Sequence, residues 1–140
     1  RVDDSSQQNR FASGFPSSPV ANTSGDFLLS GYDLSGIGWD PGDTRKSFAL
    51  ISPRHFIGAT HFRPNTSDSV TFFNRSGALR DFGISGTTVI DGSDLFVGTL
   101  DTTIQSSVLA PGLRLCHGDH LANLCLISKH GFNLSLELHR

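Results

Sequence analysis

From about residue 26 the chain is written in short apolar runs, each closed by turn-forming residues such as Gly, Asp, Asn or Pro. The runs Phe48 to Ser52, Ser69 to Asn74, Ala78 to Ser85, Thr87 to Ile90 and Leu95 to Leu100 are rich in Phe, Val, Ile and Thr. Runs this short, recurring roughly every ten residues with turn signals between them, predict an all-β antiparallel sandwich or barrel. Arg75-Ser76-Gly77 separates the second run from the third and reads as a hairpin loop with Gly supplying the turn. No internal repeat is visible, and no amphipathic helix longer than about two turns.

Composition agrees with strands and turns. Among 140 residues there are 15 Gly, 6 Pro and 11 Phe, and Glu occurs once, at Glu137. This is poor material for helices and good material for a pleated core. The length suits one domain, or one and a small part. The net charge of −2 implies no basic face, so no nucleic acid partner is expected. No apolar stretch approaches the roughly 18 residues a spanning helix needs. The count of Met is zero, so the chain is expected to have lost its natural start, and the lack of a visible leader says nothing about location.

Three regions follow from these textures. Residues 1–25 are polar and rich in Ser, Asn, Gln and Pro, and read as a flexible polar tail. Residues 26–108 hold the strands, with Phe27-Leu28-Leu29 as a candidate first strand and Gly31 to Asp43 as a turn-rich connection. Residues 109–140 are Leu-rich, contain both cysteines and four of the six histidines, and continue no pattern of the preceding region. Leu124 to Ser128 and Phe132 to Leu138 are candidate strands there.

The densest chemical signal is Ser47 to Phe62, SFALISPRHFIGATHF. It reads as a buried strand, a Pro-containing turn, a second apolar segment, and then Gly58-Ala59-Thr60 leading into His61. A general base needs a His held by closely packed backbone and open on one side, and small residues before it let neighbouring strands approach. Asp94 stands immediately before the apolar run Leu95 to Leu100. A carboxylate at that place can be held by the fold and point at an imidazole, fixing its tautomer. Asp91 and Asp101 are its rivals. His55, just after Pro53-Arg54, reads as a loop residue.

These two stretches carry a family resemblance. Leu50-Ile51-Ser52-Pro53 followed by Phe56-Ile57-Gly58-Ala59-Thr60-His61-Phe62 resembles the catalytic-His motif of the chymotrypsin/trypsin-like serine peptidases, roughly Leu-Ile-Ser-Pro-x-x-Val-Leu-Thr-Ala-Ala-His-Cys. Asp94-Leu95-Phe96-Val97-Gly98-Thr99-Leu100 is similar to their Asp-Ile-Ala-Leu-Leu-x-Leu motif, in the same order along the chain. The flavour is that of divergent bacterial secreted members. The resemblance covers about residues 27 to 104, roughly half of the family's domain. It implies an antiparallel Greek-key β-barrel, the first of the two barrels of a trypsin-like fold. It implies His61 as general base, Asp94 as its orienting carboxylate, a protein or peptide substrate, no cofactor, and a secreted or cell-envelope location.

The departures are specific. Phe62 stands where the family has Cys, and Gly58 where it has Ser or Thr. No Ile-Val-Gly-Gly-like start is present. The family's Gly-Asp-Ser-Gly-Gly nucleophile motif is absent, and Gly118-Asp119-His120 echoes it with His in the place of Ser. The expectation is therefore a truncated serine endopeptidase with base and orienter but no nucleophile, inactive by itself. The alternatives are a non-catalytic all-β binding or surface module and an inactive peptidase homologue. In the module His61 and Asp94 have no reason to meet.

Other features carry less. Cys116, His117, Asp119, His120, Cys125 and His130 include enough donors for zinc, but their spacing misses the common ligand pairs, and no metal is expected. A Cys116–Cys125 disulfide and a chance cluster both stay open. Asn22, Asn65, Asn74 and Asn133 each begin an Asn-x-Ser/Thr triplet, which has meaning only in a eukaryotic secretory pathway. The Phe excess reads as barrel core, and Trp39 as a core or rim anchor.

Overall fold

The computed structural model describes residues 5–105, 125–127 and 133–135. The chain divides into two units, Arg1–Tyr32 and Asp33–Arg140.

The first unit contains residues 1–25, which read as a polar tail, and its described part carries more backbone structure than that composition signals. Helical turn α1, Ser5–Gln8, precedes β1, Phe11–Ser13, which pairs antiparallel with β2, Val20–Ala21. Gly14, at φ +74°, turns the chain so that Ser18 N–H reaches its carbonyl at 2.8 Å. A Cβ there would stand 2.0 Å from Ser18 O, so only Gly fits. Phe27-Leu28-Leu29 is not a strand. It lies in a series of turns, with Ser30 N–H donating to Phe27 O, and Leu28 is exposed. Three apolar residues suffice for a strand only if a neighbour offers a ladder, and none pairs here.

The second unit holds a closed barrel. Its strands are β3 (Ile37–Asp40), β4 (Asp43–Leu50), β5 (His55–Ala59), β6 (Ser69–Phe73), β7 (Leu79–Ile90) and β8 (Leu95–Leu100). All neighbours are antiparallel, in the order β3-β4-β5-β8-β7-β6, with β6 pairing back onto β3. Strands β3, β4 and β5 follow one another, and β6 returns beside β3, which is the Greek-key connection. The fold is all-β, and the barrel closure expected from the motifs is present.

Most runs fall where the turn residues divide them. β8 coincides with Leu95 to Leu100, and the β6–β7 hairpin turns at Gly77, at φ +82°. Two regions differ. The Gly-rich stretch 31–43 contains β3, where Gly38 lies so near the Phe72 ring that a Cβ would stand 2.8 Å from it. The Ala78 to Ser85 and Thr87 to Ile90 runs are one strand, bent between Ile84 and Gly86 where the register shifts.

Phe48, Leu50, Phe56, Val70, Phe72, Ile84, Phe96, Leu100 and Ile104 form the core. Alternation along β8 explains the choice, since Phe96, Gly98 and Leu100 face inward while Leu95 is exposed. The rings of Phe48, Phe56 and Phe96 pack at centroid distances of 5.2, 6.0 and 5.9 Å in tilted or edge-on contact.

Two short strands, β9 (Cys125–Ile127) and β10 (Asn133–Ser135), pair antiparallel within the two stretches read as strands near the C-terminus. Cys116, His117, Gly118, Asp119, His120 and His130 lie outside the described residues, and so do the side chain of Cys125, the zinc alternative and the Cys116–Cys125 disulfide. Among the described residues, no helix is long and apolar enough to cross a membrane.

Candidate active site

His61 and Asp94 meet because β5 and β8 pair without a slip. His55 stands opposite Thr99, Phe56 opposite Gly98, Ile57 opposite Val97, Gly58 opposite Phe96 and Ala59 opposite Leu95. The next residues outward are therefore Thr60 and Asp94, and Thr60 N–H donates to Asp94 O at 3.0 Å. Past Ala59 the backbone closes into a single 3₁₀ turn, Thr60–Phe62, with Arg63 N–H donating to Thr60 O.

Glycines make that register attainable. A Cβ on Gly58 would stand 2.8 Å from the Phe48 ring and 2.9 Å from Phe96, and one on Gly98 would stand 2.2 Å from Phe56. Each Phe thus covers the Gly directly across the ladder. The small residues before His61 serve as the sequence suggested, by admitting close neighbours.

Asp94 grips the turn at three points. Its carbonyl takes Thr60 N–H, its Oδ1 accepts His61 N–H at 3.3 Å, and its Oδ2 is hydrogen-bonded to His61 Nδ1. The carboxylate thereby orients both the backbone and the ring of one residue. Phe62 lies against the imidazole with ring centroids 4.4 Å apart. Both partner side chains are 59% exposed, so the pair is open to an approaching group.

With Asp94 accepting from Nδ1–H, Nε2 is the lone-pair nitrogen, and it can take a proton from a hydroxyl brought to it. Among the described residues no hydroxyl or thiol hydrogen-bonds to it. The rival Asp101 does not reach His61: its N–H donates to Gly83 O and its Oδ1 accepts from Thr102.

His55 is not a loop residue but the first residue of β5. Its Nδ1 lies 2.7 Å from Ser52 Oγ, which also accepts N–H from His55 at 2.9 Å and from Arg54 at 3.2 Å. The Ser-Pro-x-His spacing is the signal for this closed turn. It is joined to the end of β8 by Leu100 N–H on Arg54 O and by Arg54 Nε–H on Leu100 O. No group of three or more potential metal ligands gathers among the described residues.

Compared with known proteins, the chain matches no family model and no curated protein.

Proposed function

We propose that the chain carries the base-and-orienter half of a trypsin-like serine endopeptidase, secreted or held in the cell envelope and acting on protein or peptide substrates. One observation supports this above the others: Asp94 hydrogen-bonds to Nδ1 of a His 33 residues away in sequence, leaving Nε2 as the basic nitrogen on an open face. In the reaction a Ser hydroxyl supplied from outside this sequence attacks the scissile carbonyl. His61 Nε2 takes the hydroxyl proton and returns it to the leaving amine, while Asp94 stabilises the imidazolium. The oxyanion donors and the specificity pocket belong with that Ser.

A second reading, a non-catalytic module or an inactive homologue, draws on one observation as well. Asp94 already caps the backbone of the Thr60–Phe62 turn, which is a structural task in itself.

The test is hydrolysis of a fluorogenic casein by a polypeptide that joins this chain to its nucleophile-bearing partner. Asp94→Asn is expected to lower kcat by about 10⁴-fold, and His61→Ala by at least as much. An unchanged kcat in His61→Ala overturns the reading. The 140-residue chain alone is expected to cleave nothing. Cleavage by it that is lost in His61→Ala would show that the nucleophile lies within this sequence.

A further inference from the structure

The four Asn-x-Ser/Thr triplets are alike in sequence, and the three whose side chains are described are unlike in structure. Asn74 is 9% exposed, and its Oδ1 accepts from Ser76 Oγ and Ala78 N–H, both at 2.8 Å, so its carboxamide is part of the β6–β7 turn. Asn22 Nδ2, the nitrogen a sugar would have to join, donates to Asn9 O at 2.8 Å, and its Oδ1 accepts from Ser24 N–H at 3.0 Å. The side chain of Asn133 lies outside the described residues. Asn65 differs from Asn74 and Asn22. Asn65, Thr66 and Ser67 are each exposed, and among the described residues no group hydrogen-bonds to the Asn65 carboxamide.

The turn that displays Asn65 is firmly held. Asn65 N–H donates to Asp68 Oδ2 at 2.8 Å and Asp68 N–H returns to Asn65 O at 3.1 Å. Lys46 Nζ stands 3.6 Å from the same Asp68 oxygen and 2.9 Å from Asp40 Oδ2, tying the turn to β4. Backbone and carboxylate thus do the anchoring, and the Asn65 side chain is left out of it.

We propose that Asn65 is an N-glycan acceptor of the folded chain and that Asn74 and Asn22 are not. The donor is a lipid-pyrophosphate-linked oligosaccharide. Nδ2 of Asn65 bonds to the anomeric carbon as the bond from that carbon to the pyrophosphate oxygen breaks. The amide loses one proton, and the lipid pyrophosphate leaves with the bonding pair. The proposal rests on the exported location in the peptidase reading, by a eukaryotic secretory route, and not on catalysis, so its failure leaves the His61–Asp94 pair untouched.

The experiment directs the full 140-residue chain through the secretory pathway of a yeast cell and maps occupancy by mass spectrometry, with enzymatic deglycosylation in heavy-oxygen water to mark each occupied Asn. Asn65 is expected to be marked in most molecules, and both Asn65→Gln and Ser67→Ala should abolish the mark and the corresponding mass. Ser67→Ala keeps Asn65 and the backbone turn, so a folding failure of one variant does not obscure the result. An unmarked Asn65 in secreted wild-type chain, or a mark on Asn74 or Asn22 in its stead, overturns the proposal.

Discussion

Phe56 lays its ring over Gly98, its register partner across the β5–β8 ladder, so closely that a Cβ on Gly98 would stand 2.2 Å from a ring carbon. Gly58 and Phe96 repeat the arrangement in the opposite sense. These reciprocal pairs fix the register that brings Asp94 beside His61. Gly98→Ala is expected to cost about 1–3 kcal/mol through overpacking. Gly86→Ala, where nothing lies within 4 Å of the added carbon, serves as control and should change stability by less than about 1 kcal/mol. Urea denaturation of the two variants measures the difference.

That glycine pattern marks how far local sequence could be read. Leu95 to Leu100 announced itself because Asp94 and Asp101 bound an apolar run, and Gly77 announced its hairpin. Gly38 and Gly86 looked like turns and are strand. Gly38 is needed because of the Phe72 ring on β6, distant in sequence, and Gly83 because Asp101 Oδ2 stands 2.5 Å from where its Cβ would be. Local propensity carries no information about such neighbours. The His61–Asp94 pair was legible because each residue stands at the edge of a clear apolar segment. The Ser52–His55 turn and the hold of Asp94 on the backbone were not, since hydrogen-bond partners depend on register.

Thr60 carries an unpaired buried hydroxyl that a substitution can remove. Its Oγ1 is buried and has no hydrogen-bond partner among the described residues. Thr60→Val keeps the shape and removes the unpaired hydroxyl, and is expected to raise stability by about 1 kcal/mol. A higher urea midpoint at unchanged slope supports this. A loss of stability would mean that the hydroxyl is satisfied in solution.

Lys46 reaches Asp40 Oδ2 while Asp40 Oδ1 accepts Gly42 N–H at 2.8 Å, and Asp40 is buried. The Asp40 carboxylate holds the Lys46 ammonium above the ordinary lysine range. Asp40→Ala leaves the ammonium with Asp68 as its remaining ion-pair partner and unties the β3–β4 turn, at an expected cost of about 1–3 kcal/mol. Thermal unfolding of Asp40→Ala beside Asp40→Asn separates the lost charge from the lost turn acceptor.

Acid titration offers a local readout. The Arg45 guanidinium donates to both oxygens of Asp43 and lowers its carboxyl to about 2 from the usual 3.8. A depressed carboxyl stabilises the fold above its unfolded value and loses that contribution as pH falls from about 4 through 2. The pair is exposed, so its contribution is small and screened by salt. The Asp43 carboxyl carbon, followed by NMR, should titrate near 2 in the wild type and close to the usual aspartate value in Arg45→Ala.

The protonation pattern of the His61 ring tests the central claim most directly. Nitrogen-15 NMR of the neutral side chain should show a proton on Nδ1 and a bare Nε2, with the balance moving toward Nε2–H in Asp94→Ala. A wild-type ring already carrying its proton on Nε2, indifferent to the loss of Asp94, would mean that the carboxylate does not set the base and that the peptidase assignment fails.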